Sequence, residues 1–169
     1  MKHAITLTLA LAVVLAARVM AAQSPAVSFI EEAVKGNIWE VQVGQLAARK
    51  ATNPQARKFG AMLNTDHGEA TRKAALAAQS LGVTPATSLD PKQQAKYDRL
   101  AKLEGESFDR AFIEAMVADH QQDIAKYEKA AQGTDAAATY AKQTLPRLRE
   151  HLATAQQLQQ SEKDSKSSG

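Results

Sequence analysis

Apolar residues in this chain recur at alternating steps of three and four positions along four long stretches, the period of an amphipathic helix that buries one stripe. On the second stretch the stripe reads Ala56, Gly60, Leu63, His67, Ala70, Ala74, Ala77 and Leu81. The fourth gives Ala137, Ala141, Thr144, Leu148, His151, Ala155 and Leu158, and the third Phe112 or Ile113, Met116, His120, Ile124, Tyr127 and Ala131. The first carries Ala33, Asn37, Glu40, Gly44 and Ala47, with Ile30, Val34, Ile38 and Val41 beside it. Such a chain covers its stripes by packing helix on helix. Abundant Ala, Gln, Lys, Glu and Leu point the same way, and no segment reads as a strand. The expected fold is all-α, a four-helix bundle.

Stop signals separate the stretches. Helix 1 is expected from about Ser28 to Ala51 and ends at Thr52-Asn53-Pro54, where Asn53 caps helix 2 and Pro54 takes its first position. Helix 2 runs to about Leu81 and ends at Gly82. The connection that follows holds a short extra helix capped by Asp90 and opened by Pro91, and its length suggests a crossover. Helix 3 spans about Glu106 to Gln132, and Gly133-Thr134-Asp135 turns the chain into helix 4, about Ala136 to Gln160. Pro146 inside helix 4 removes the bond to the Lys142 carbonyl and should kink it, unless Thr144 caps a later start. Residues 161–169 lack apolar periodicity and are expected to be a disordered tail.

The first 22 residues have a different character. Lys2 precedes the largely apolar run Ala4 to Ala17, too short for a membrane span, and Val19-Met20-Ala21 supplies small residues for cleavage after Ala21 or Ala22. A signal peptide over 1–22 implies a periplasmic or secreted protein, with one domain over 23–160 and no stable membrane span after cleavage. Arg18, just before the site, leaves an uncleaved anchor as the alternative. Loss of Lys2 and Arg18 takes the net charge from +3 to about +1, which offers no basic stripe for nucleic acid. The chain has no Cys, so disulfides and lipoprotein acylation are excluded. Nothing in the sequence identifies a protein partner or an oligomeric state.

Chemistry concentrates on three histidines. His67, His120 and His151 each lie near the middle of a different helix and on its apolar stripe, and Glu40 is the one acid placed inward on helix 1. With a rise of about 1.5 Å per residue, Glu40 and His67 match in level to about 3 Å, and His120 and His151 to about 6 Å. Three imidazoles and a carboxylate would make a complete shell for one transition metal ion, zinc, copper, iron or manganese. Gly44 and Gly60 would let the helices approach. A metal-free layer, in which the same groups hydrogen-bond one another and fix register, is the alternative.

An acid precedes each histidine: Asp66, Asp119 and Glu150. Adjacent helical residues diverge by about 100°, so each acid points toward a neighbouring helix. There it could ligate, accept from an imidazole on the next helix, or pair with Lys73, Lys126 or Arg147. Phe59 to His67 and Phe112 to His120 share one spacing, a hint of an old hairpin duplication.

The run Phe29 through Glu40 to Leu46-Ala47, Met62 with Asp66-His67, Gly105 with Phe108-Asp109 and His120, and Leu145-Pro146 with His151 together resemble the secreted bacterial family called domain of unknown function 4142. The resemblance covers about residues 25 to 158. It implies a ferritin-like bundle and a periplasmic or cell-surface home, and brings no established activity. Ferritin-like di-iron proteins carry Glu-x-x-His on two helices, whereas Asn64, Val117 and Leu148 stand three residues before these histidines. A carboxylate-bridged di-iron centre is therefore not expected. Met116 and Met62 near the histidines make copper conceivable, although Met is more often core filler. There is no nucleophilic Cys, glycine-rich phosphate loop or Gly-x-Ser-x-Gly elbow, and whether the chain is an enzyme stays open.

Overall fold

The computed structural model describes residues 24–167, and the expected signal peptide lies outside the described residues. Among the described residues there are five helices and no strand: α1 Pro25–Lys50, α2 Pro54–Ser80, α3 Pro91–Ala101, α4 Gly105–Ala130 and α5 Ala136–Ser167. The first three open on one device, a polar cap followed by proline. Ser24 accepts from the Val27 amide, Asn53 from Gln55 and Ala56, and Asp90 forms a capping box with Gln93. Proline suits the position after the cap because no helical bond needs its missing N–H. Asp135 caps α5 by accepting from the Ala138 amide at 2.8 Å. Gly82, at φ +70°, ends α2 in the left-handed region that glycine enters at low cost.

Two features of α5 bear on the sequence expectations, the first in agreement with one helix through Pro146 and the second a difference. It continues through Pro146 as one helix, so Thr144 is no cap for a later start; its hydroxyl instead donates to the Tyr140 carbonyl at 2.9 Å. The helix also runs on to Ser167, where an irregular tail was expected. No Gly or Pro interrupts residues 161–167, and side-chain bonds such as Ser161 Oγ to the Gln157 carbonyl and Gln160 Nε2 to Asp164 support the extra turns.

Helix directions follow from which ends meet. Glu32 pairs with Lys126, and Phe29 meets Tyr127 edge-on, so α1 starts where α4 ends. At the other end Lys50 donates to the Ala101 carbonyl and stands over Phe108. α1 and α4 are thus antiparallel, as are the hairpin neighbours α1 and α2, which makes α2 and α4 parallel. The connection between those two returns along the bundle with α3 laid beside α1, where Gln93 donates to the Lys35 carbonyl at 2.9 Å. This is the crossover that its length suggested.

The stripes are buried as the periodicity required. Gly44 and Gly60 bring α1 and α2 into backbone contact: a Cβ on Gly44 would lie 2.7 Å from the Gly60 carbonyl oxygen. Two apolar clusters result. One gathers Val43, Phe59, Leu63, Phe108, Phe112 and Met116, and the other Ile30, Val34, Ala74, Tyr127, Tyr140 and Leu148. Phe59 and Phe112, the equally spaced partners of His67 and His120, sit with ring centroids 5.9 Å apart. Between the clusters lies a polar layer.

Candidate metal centre

The layer contains all four candidate ligands singled out from the sequence. Glu40 from α1, His67 from α2, His120 from α4 and His151 from α5 are 1%, 2%, 0% and 1% exposed. The imidazole centroids form a near-equilateral triangle, 5.7 Å for His67–His120, 5.2 Å for His67–His151 and 5.3 Å for His120–His151. One ring nitrogen from each lies within 4.8 Å of the others. Three helices with midpoints at one level are enough to bring this about.

Each ring is tied from outside by an acceptor, and these ties assign its proton. His120 Nδ1 is 2.9 Å from the Met116 carbonyl, which can only accept, so Nδ1 carries the hydrogen and Nε2 is bare. His151 Nε2 is 2.9 Å from Asp66 Oδ2, so that nitrogen donates and Nδ1 is bare. His67 Nδ1 lies 2.9 Å from both Asn37 Oδ1 and Glu40 Oε2. Asn37 commits its amide nitrogen to the Tyr140 hydroxyl at 2.8 Å and therefore presents its oxygen to His67. His67 Nδ1 donates, and His67 Nε2 is left buried without a partner among the described residues.

Three bare nitrogens remain, His67 Nε2, His120 Nε2 and His151 Nδ1. The last two face each other at 3.3 Å with no hydrogen to share. Buried acceptors without donors each cost about 1–3 kcal/mol, so the arrangement calls for an electrophile at its centre. Ligand nitrogens around a tetrahedral ion with bonds of 2.0–2.1 Å stand about 3.3 Å apart, which His120 and His151 already satisfy. The widest pair would have to close by roughly an ångström or more.

Electrostatics keeps these rings available. Burial pushes His67 and His151 down to about 4 and also lowers His120, so all three are neutral at neutral pH. Burial lifts Glu40 to about 7, against the pull of His120, and lifts nearby Asp123 to about 7.

The structure places Glu40 in the layer but on the Nδ1 side of the rings, 2.9 Å from His67 and 3.4 Å from His120. The two bonded carboxylates, Glu40 and Asp66, thus surround the three nitrogens from outside. Of the acids preceding each histidine, Asp66 reaches the imidazole of the next helix, whereas Asp119 faces Lys96 at 3.9 Å and Glu150 pairs with Arg147 at 2.6 Å. Sequence reasoning missed Asn37 as a partner; its inward position on the stripe was the available signal. It also missed Asp109, 3% exposed, which holds the α1–α2 turn by accepting from the Thr52 and Asn53 amides. An acid near the start of a helix, in the Phe108-Asp109 pair that carries the family resemblance, was the available signal.

Comparison with known proteins places this geometry in context. A family model described as domain of unknown function (DUF4142) matches residues 14–158. No curated protein is similar in sequence. Among solved structures, the chain is similar to a DUF305 fragment from Deinococcus radiodurans, with TM-score 0.72 and 15% identity over 82% of this chain and 97% of that one. A Streptomyces coelicolor DUF305 protein, described as predicted to be secreted, aligns with TM-score 0.66 and 8% identity over 79% of this chain and 89% of its own. At such identities the likeness is one of fold.

Proposed function

We propose that this chain, which belongs to the domain of unknown function 4142 family, holds one transition metal ion on His67, His120 and His151 and handles that ion in the periplasm or at the cell surface. The observation that carries the reading is the set of three bare imidazole nitrogens with every N–H tied outward. Glu40 and Asp66 are then outer partners that orient the rings. Together they bring two negative charges to offset a divalent cation in a dry layer. Of zinc, copper, iron and manganese, an all-imidazole set favours zinc or copper and suits manganese least.

Burial of the rings argues for binding and release in preference to turnover, because a substrate would have little room at the ion. Asp66 is the layer's link to the surface. It lines a cleft of about 240 Å³ together with Thr144, Pro146 and Arg147, and Arg147 Nε stands 3.6 Å from it. An incoming cation could displace Arg147 from Asp66 and pass to His151. The crossover connectivity accords with a ferritin-like grouping, and the secretory leader read from the sequence accords with an envelope location.

The metal-free layer is the weaker reading. It needs a proton between His120 and His151, which burial opposes, and it still leaves His67 Nε2 without a donor. The test is elemental analysis of the chain after metal removal and reloading with zinc or copper. One ion per chain is expected, lost in His67→Ala, His120→Ala and His151→Ala. No retained ion and no thermal stabilisation with either metal would refute the proposal.

A further inference from the structure

A second feature lies outside the metal layer, where α3 of the crossover rests against α1 and α4. A cleft of about 550 Å³ opens there, with Trp39, Leu100, Leu103 and Ala115 along its apolar side. That volume falls within the roughly 300–1,000 Å³ of small-molecule sites. Lys96, Arg99 and Lys102 line the same cleft, against the single acid Asp119. Asp119 faces Lys96 at 3.9 Å, and no ion pair holds Arg99 or Lys102 among the described residues. Arg99 in the last turn of α3 also suits that helix's dipole, but this does not explain the apolar side.

Trp39 supplies an independent observation. Its side chain is 5% exposed, yet among the described residues the indole N–H has no acceptor, an uncommon condition for a buried donor. Lys96 Nζ stands 5.6 Å from the centre of its ring. An apolar side beside an excess of positive charge and an unmatched donor calls for a molecule with one anionic end and one apolar end.

We propose that the α3–α4 cleft binds a small anionic amphiphile of the fatty-acid class. Its carboxylate meets Lys96, Arg99 and Lys102 and accepts from the Trp39 indole N–H, and its chain lies along Leu100, Leu103 and Ala115. Sugars and other wholly polar ligands fit poorly, because the apolar side gives them few partners. The inference does not depend on the metal reading and is tested on the metal-free chain.

Trp39 is the only tryptophan in the sequence, so its emission reports this cleft alone. Titration of the full chain with monomeric dodecanoate should change that emission saturably, with matching heat by calorimetry. A combined Lys96→Ala, Arg99→Ala, Lys102→Ala variant should bind about tenfold more weakly or worse. Its substitutions are on exposed positions, and circular dichroism would check its fold. Dodecyl maltoside, uncharged with the same chain, should give no saturable change. No saturable response to dodecanoate, equal binding of the uncharged amphiphile, or undiminished binding by the variant would each overturn the proposal. So would binding confined to phosphatidylglycerol vesicles, which would make the patch a membrane contact.

Discussion

Replacing Glu40 with Gln should act in opposite directions on the metal-free and metal-loaded protein. Burial raises this carboxyl from 4.5 to about 7, so the native state holds a proton that the unfolded chain releases across that window. The contribution of Glu40 to stability is therefore complete below pH 4.5 and is lost as the pH rises through 7. A displacement of that size corresponds to on the order of 3 kcal/mol. Gln keeps an acceptor for His67 Nδ1 but cannot ionise. Urea unfolding of both metal-free proteins at about pH 4.5 and about pH 8 gives a double difference in which the histidine contributions cancel. The variant should be favoured at the higher pH by about 3 kcal/mol relative to the lower. With zinc or copper the sign reverses, because the lost charge no longer offsets the cation, and affinity should fall roughly ten- to a hundredfold. Equal pH dependence of the two proteins would refute the assigned electrostatics of Glu40. Unchanged metal affinity would refute its place beside the ion.

Three further outcomes are expected. In metal-free Glu40→Gln, stability should fall as the pH drops from 6.5 toward 4, because unfolded imidazoles take up protons that buried His67 and His151 refuse. Asp119 and Asp123, both raised by burial, oppose this with two groups against the three rings, and a flat or rising profile in urea melts would contradict it. Gly44→Ala should destabilise by about 1–3 kcal/mol and weaken metal binding, since its Cβ meets backbone atoms of α2 at 2.7 and 2.9 Å, whereas Gly68→Ala meets nothing within 4 Å and should gain up to about 1 kcal/mol in thermal melts. Asp109→Ala strands the Thr52 and Asn53 amides and should cost about 3 kcal/mol while leaving metal affinity unchanged, as melting and titration would show.

Helices, stripes and the polar layer were legible because burial side and level depend on local periodicity, and His67, His120 and His151 happen to be central in their helices. Connectivity was only suggested, by the length of the α2–α4 link, because it depends on where α3 docks, through contacts such as Gln93 to the Lys35 carbonyl that join residues far apart in the chain. The position of Glu40 relative to the rings was equally hidden, since it turns on which nitrogen each imidazole presents. Asp66 could be placed toward the next helix, but nothing local distinguished it from Asp119 and Glu150, which face Lys96 and Arg147 instead. The irregular tail failed for a simpler reason: polar residues without a breaker extend a helix as readily as they leave one. Asn37 needed Tyr140, 103 positions away, to fix its amide and so the tautomer of His67.

Convergence of three imidazoles on one ion can be read from X-ray absorption at the edge of zinc or copper in the loaded chain, which counts the nitrogen neighbours and recognises imidazole. Three imidazole nitrogens are expected at about 2.0–2.1 Å for zinc, with no Glu40 oxygen bound to the ion. A shell of oxygens, or one with a single imidazole, would contradict it.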